Sequence, residues 1–122
     1  MQNPQVVILG ASNKPHRYAY KALLMLQEYG YHVLPVHPKL ENIDGVVVKH
    51  SLQQIHQAID TLTVYLGPQR STLLIDDIIT LNPSRVILNP GTESEELELA
   101  LLHNGISFVK DCTLLMLEQG RF

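Results

Sequence analysis

The chain has 122 residues, 45% hydrophobic and 17% charged, with a formal net charge of −3. That length suits one domain over residues 1–122 with its own core, and leaves no room for a second lobe. The acidic balance argues against bulk attraction to nucleic acid, and no apolar run approaches the length of a membrane span.

Residues 1–5 carry no basic patch and no small-residue cleavage site, so no secretory leader is expected. A lone cysteine, Cys112, excludes an internal disulfide framework, and the expected location is the cytoplasm. The first predicted strand is Val6–Leu9. A small-residue turn, Gly10-Ala11-Ser12, follows it. A helix is then predicted from about His16 to Tyr29, because Ala19, Ala22, Leu23 and Leu26 recur at helical spacing. Gly30 closes it. His32–Val36 is a second strand bounded by Pro35 and Pro38. Val46–Val48 reads as a short edge strand. Ser51 is placed to cap a brief helix through about Ala58, and Leu62–Leu66 reads as a strand ended by Gly67-Pro68.

A helix is predicted from Ser71 or Thr72 to Thr80, with Leu74, Ile75, Ile78 and Ile79 inward, and Asn82-Pro83 breaks it. Arg85–Leu88 is the next strand, running into Asn89-Pro90-Gly91. Thr92 with Glu95 fits a capping box for a helix bearing Leu97, Ala100 and Leu101, and Asn104-Gly105 ends it. Ile106–Val109 is the last strand. Asp111 or Cys112 caps a final short helix carrying Leu114, Leu115 and Leu117. Strands and helices alternate throughout. The expected fold class is therefore α/β: a doubly wound, mostly parallel, Rossmann-like sheet with helices on both faces.

In such a sheet ligands bind beyond the carboxyl ends of the strands, where the strand order reverses. Here that gathers loops 10–17, 36–39, 66–70, 89–92 and 110–113. Lys14, Arg17, Lys39, Arg70 and Lys110 all follow predicted strands, while most acids fall on helices. One edge of an acidic protein is thus expected to be basic, a funnel for a polyanion, although each lysine alone reads equally as a solvated loop residue. The first loop has one glycine and lacks the full G-x-G-x-x-G dinucleotide fingerprint. Its amides and the following helix end suit a phosphate. The second loop, Pro35-Val36-His37-Pro38-Lys39, has no acid to accept a ribose diol. Lys39 would instead attract a phosphate on that ribose. Coenzyme A, with a 3′-phosphate, and NADP, with a 2′-phosphate, both fit.

These blocks resemble the small CoA-binding protein family, stand-alone relatives of the CoA-binding domain of succinyl-CoA synthetase. The likeness lies in Val7-Ile8-Leu9-Gly10-Ala11-Ser12, in the run from Gly30 to Lys39, and in Asp111-Cys112, and it spans nearly the whole chain. It implies a Rossmann-type domain that binds CoA or acyl-CoA and has no catalytic machinery of its own. By position, Gly10, Ala11 and Ser12 would line the pyrophosphate and Arg17 would reach a phosphate. Pro38 and Lys39 would sit near the adenosine. His37 stands where the family usually has Asn. Asn89-Pro90-Gly91, Gly67-Pro68-Gln69-Arg70 and Lys110-Asp111-Cys112 also depart from its usual runs.

No Ser-His-Asp order or carboxylate pair stands out. None of the six histidines has metal-ligand spacing. His16 and His37 share loops that face the crevice, where protonation would make ligand affinity pH-dependent. Cys112 is a possible redox thiol at a predicted helix start, with Asp111 opposing thiolate chemistry and a structural role as the alternative. The expected function is non-catalytic binding of CoA or acyl-CoA, with Lys14 and Arg17 adding charge, Lys39 reading the 3′-phosphate, and Asn89, Pro90 and Gly91 closing the far wall. The alternatives are an NADP-binding oxidoreductase component and a regulatory module with a vestigial crevice. No protein partner is specified.

Overall fold

Five short apolar runs pair into one parallel sheet in the computed structural model, which describes residues 4–122. The leader expectation rests partly on residues 1–3, which lie outside the described residues. The sheet contains β1 (Gln5–Leu9), β2 (His32–Val36), β5 (Thr61–Val64), β6 (Arg85–Leu88) and β7 (Ser107–Lys110), ordered β2-β1-β5-β6-β7. Between β2 and β5 lies a separate antiparallel hairpin, β3 (Asn42–Ile43) and β4 (Val46–Val47). The order reverses at β1: the chain builds β2 on one side, then crosses back to lay β5 on the other. The switch point therefore lies beyond Leu9 and Val64.

Period-2 alternation sorts the strand residues between two cores. Val7, Leu9, Leu34, Leu62, Val64, Val86 and Leu88 face one layer. It is made by a 3-10 turn at Leu52–Gln54, α3 (Ile75–Leu81) and α4 (Glu95–His103). Val6, Ile8 and Val33 face α1 (Tyr18–Glu28) and α5 (Thr113–Glu118). Helices thus cover both faces, and fully buried Leu23, Leu26, Ile78, Leu97 and Leu101 supply most of their apolar contact.

Several elements differ from expectation. α1 begins at Tyr18 and not His16, because Arg17 is extended (φ −79°, ψ 139°) and no side chain caps the helix. Val46–Val47 pairs with Asn42–Ile43 and is no edge of the main sheet; Asp44, at φ 50°, turns that hairpin. Ser51 makes no cap bond, and only the 3-10 turn forms there, although Leu52, Ile55 and Ile59 are buried as expected. The helix expected from Ser71 begins earlier, as α2 (Pro68–Ser71), since Pro68 is pre-set for a first helical turn. It passes through a 3-10 turn at Thr72–Leu74 into α3.

Ser94, and not Thr92, caps α4: its hydroxyl accepts the Leu97 amide at 3.2 Å. Thr92 instead donates its hydroxyl to the Asn89 carbonyl at 2.7 Å. On α5 the buried residues are Thr113, Met116 and Leu117, while Leu115 faces solvent. Among the described residues no helix is long and apolar enough to cross a membrane.

Candidate functional site

Because the five strands are parallel, the loops after Leu9, Val36, Val64, Leu88 and Lys110 all leave the same edge of the sheet. The loop after β1 is shaped by Gly10. Its φ is +89°, and a Cβ there would lie 2.8 Å from Leu66 Cδ2 and 3.2 Å from the Tyr65 carbonyl carbon. The absent side chain lets the loops after β1 and β5 close on each other at the switch point.

The amides of this loop divide into two sets. Gly10 and Ala11 donate to the Val36 carbonyl at 3.3 and 3.0 Å, so these two are engaged within the sheet edge. They hold the loops after β1 and β2 together. The Ser12 and Asn13 amides have no partner among the described residues, and the Ser12 hydroxyl accepts the Lys14 amide at 3.1 Å. The first intrahelical bond of α1 runs from Lys21 to Arg17, which leaves the amides of Tyr18, Ala19 and Tyr20 open at an uncapped helix start. Lys14, His16 and Arg17 are exposed beside it. Tyr18 is exposed under Lys21 Nζ, 5.4 Å from the ring centroid, and the Tyr20 hydroxyl donates to Asp44, tying the hairpin to α1.

The loop after β2 is organised by His37. Its Nδ1 accepts the Lys39 amide at 3.0 Å and the Leu40 amide at 3.1 Å. A side-chain acceptor closing a turn on its own following amides is the device asparagine and aspartate commonly supply. Partial burial, then the charges of Lys39, Arg70 and His50, hold the imidazole below its ordinary pKa. Pro38 and Lys39 are exposed on this turn. Arg70 reaches the same neighbourhood from α2, beside an open depression of about 520 Å³ lined by Tyr65, Leu66, Gly67, Pro68, Gln69 and Arg70. Lys110 stands apart, with Nζ 3.4 Å from Glu98.

Asn89 differs from expectation. It is 3% exposed, and its polar groups point into the protein. Its Nδ2 donates to Thr63 Oγ1 at 2.7 Å and the Val64 carbonyl at 2.8 Å; its Oδ1 accepts the Thr113 amide at 2.9 Å. Thr63 and Thr113 share a further hydroxyl bond of 2.8 Å. The Asn89 side chain therefore clamps the ends of β5 and β6 to the start of α5, with both its amide nitrogen and its amide oxygen engaged inside the protein. Pro90 and Gly91 are exposed beyond it, and the Gly91 amide donates to Glu93. Cys112 is half-exposed at the N-cap of α5. Its neighbour Asp111 is held below the usual carboxylate range by Arg121, whose guanidinium bonds it at 2.7 Å, and by the Cys112 amide.

Sequence reasoning missed this buried polar cluster. Its one signal was Thr61 and Thr63 alternating with Leu62 and Val64: polar residues on a strand buried on both faces. Tyr65 borders the cluster. Its hydroxyl is sealed from water and makes no hydrogen bond of normal geometry, although Thr63, Thr113 and Cys112 are close. Burial is the main cause that pushes its pKa up to about 12. The neutral phenol is thus favoured in the fold, and that stability is present below the unfolded value near 10 and lost as pH rises towards about 12. Absorbance titration should show two tyrosines ionising late, Tyr65 and also Tyr20, whose pKa is raised by its hydrogen bond to Asp44. Tyr65→Phe, which deletes an unpaired buried polar atom, should leave stability unchanged or raise it by up to about 1 kcal/mol in urea unfolding. A loss of more than about 1 kcal/mol would mean that the hydroxyl is bonded.

Known proteins share this fold. A crystal structure of an uncharacterized protein matches over 100% of both chains, with 39% identity and a TM-score of 0.93. The structure of cell-free ID.343 from Thermus thermophilus matches 98% of this chain and 91% of its own, with 30% identity and a TM-score of 0.90. The dinucleotide forming acetyl-coenzyme A synthetase 1 of Ca. Korarchaeum cryptofilum, solved with phosphate and ADP, contains the same fold. There 89% of this chain matches 26% of the larger one, with 20% identity and a TM-score of 0.76. The family described as CoA binding domain matches residues 4–118. With that match across almost the entire parallel sheet and its loops, the chain belongs to the CoA-binding domain family.

Proposed function

We propose that the protein binds coenzyme A, or an acyl-CoA, in the crevice between the loops after β1, β2 and β5. The observation that carries this reading is the meeting, at one switch point, of open amides with exposed cations from three loops. The amides of Ser12, Asn13 and the uncapped start of α1 suit a pyrophosphate, and Lys14 and Arg17 add charge beside them. Gly10 and Ala11 shape this wall through backbone bonds to Val36. Lys39, with Arg70 behind it, replaces the acid that would accept a ribose diol, and reads the 3′-phosphate of the adenosine. Pro38 stands beside Lys39 against the adenosine. Pro90 and Gly91 border the far side.

The role is binding without catalysis, suited to sensing or delivering CoA in the cytoplasm. Cys112 lies at the same sheet edge, where a mixed disulfide with a CoA thiol is the redox alternative to a structural role. NADP is the second ligand reading, because Lys39 offers charge to a 2′-phosphate as well. A crevice without a ligand in a regulatory module is the third.

Lys39→Ala separates them. CoA affinity should fall about tenfold, some 1.4 kcal/mol, while affinity for 3′-dephospho-CoA stays within about twofold. Equal loss for both ligands, or no loss for either, would remove Lys39 as the phosphate reader. Isothermal titration with both ligands gives the four affinities needed.

A further inference from the structure

The turn that carries Lys39 hangs on one imidazole nitrogen. His37 Nδ1 accepts both the Lys39 and the Leu40 amide. A ring nitrogen accepts only while it lacks a proton. With a proton on Nδ1, an N–H would face two other N–H groups, and neither bond would survive. The His37 backbone is fixed independently, since its amide donates to the Lys49 carbonyl and the Lys49 amide donates to Pro35, both at 2.9 Å. Residues 38–40 are the part that depends on the side chain.

The surroundings are cationic. Lys39 is on the same loop, Arg70 comes from α2, and Lys49 and His50 come from the segment after β4. The acid Glu41 lies 3.3 Å from His50 Nε2. Burial first, then the charges of Lys39, Arg70 and His50, oppose an imidazolium at His37. We infer that His37 is a positioning residue that makes ligand binding depend on pH: neutral, it holds Lys39 in place for an anionic group, and protonated, it releases the turn and Lys39 with it. The ligand half of this inference rests on the CoA reading; the turn half does not.

The sign is diagnostic. An imidazolium touching a phosphate would tighten binding as pH falls, whereas a lost cap loosens it. The 3′-phosphate itself takes up a proton near pH 6, but that weakening is common to every variant. His37→Asn separates the two contributions, because a carboxamide oxygen accepts the same amides and does not titrate.

The test begins on the ligand-free protein by NMR. At pH 7.5 His37 should be the Nε2–H tautomer. As pH falls below the ordinary histidine value of about 6.5, the Lys39 and Leu40 amides should lose exchange protection together. His37→Asn should keep that protection across the range, and His37→Ala should lack it throughout. The second arm is CoA affinity between pH 7.5 and 5. One pH unit below the imidazole midpoint about one tenth of the molecules hold the turn, and the released form keeps the roughly tenfold weaker binding expected of Lys39→Ala, so wild type should weaken about fivefold more than His37→Asn. His50→Gln should keep this difference.

Amides that stay protected while His37 protonates would overturn the inference. So would a wild-type profile parallel to that of His37→Asn, or one that tightens on acidification. A step that vanishes in His50→Gln would assign the effect to His50 and also overturn it. Absence of CoA binding at pH 7.5 would defeat the CoA reading alone, and the amide and tautomer data would still decide the turn.

Discussion

Gly10→Ala should destabilise the protein by about 2–5 kcal/mol and weaken any ligand that sits at the switch point. Two separable causes act. A left-handed backbone costs a residue with a side chain about 1–2 kcal/mol. Overpacking against Leu66, whose Cδ2 would lie 2.8 Å from the new methyl group, adds a further cost of about 1–3 kcal/mol. The double variant Gly10→Ala/Leu66→Ala isolates the second cause, since it removes the clashing methyls and keeps the strained φ. Chemical denaturation should show the pair to be less destabilised than the sum of the single variants. Strict additivity would mean that the loops after β1 and β5 do not meet here. Larger residues at position 10 should cost more, because the Tyr65 backbone 3.2 Å away cannot rotate aside.

Asn89→Leu should cost about 3–4 kcal/mol, although leucine matches the residue's size. The substitution strands the Val64 carbonyl and the Thr113 amide in a buried site, and each unsatisfied buried group costs about 1–3 kcal/mol. Thr63 keeps a partner in Thr113, which limits the loss. The urea midpoint should fall at constant slope. Asn89→Asp should also be severe, since a carboxylate would face the Val64 carbonyl without a proton to donate. Under saturating conditions where a folded fraction persists, CoA affinity should change by less than about threefold, because the side chain points away from the crevice. A selective loss of affinity without a loss of stability would restore Asn89 to the ligand wall.

The sheet was legible because its strands are short apolar runs separated by helix-period segments. His32–Val36 and Arg85–Leu88 match the structure at both ends. The helices were less exact where side-chain oxygens had to choose between partners. Thr92 is as good a cap by type as Ser94, yet its hydroxyl lies closer to the carbonyl of Asn89. The hairpin at Asn42–Val47 was half visible, because two-residue strands carry too little alternation to be paired by pattern.

The site was legible as a set of loops and not as a set of contacts. Parallel strands place Lys14, Arg17 and Lys39 on one edge whatever their side chains do. Which polar atoms remain open depends on tertiary distances that no motif encodes. Gly10 and Ala11 therefore lose their amides to Val36, and Asn89 turns inward to bind β5 and α5. From the sequence His37 was a candidate cofactor-binding residue, titratable and standing where the resembled family usually has Asn. Its function as a turn acceptor required the positions of the Lys39 and Leu40 amides.

The most direct measurement is a calorimetric titration of the wild-type protein with CoA, 3′-dephospho-CoA and NADP at one salt concentration. The expected result is saturable CoA binding, weakened about tenfold without the 3′-phosphate, and weaker binding of NADP. Preferential NADP binding would move the site to a nicotinamide cofactor. Absence of binding to all three would contradict the ligand reading outright.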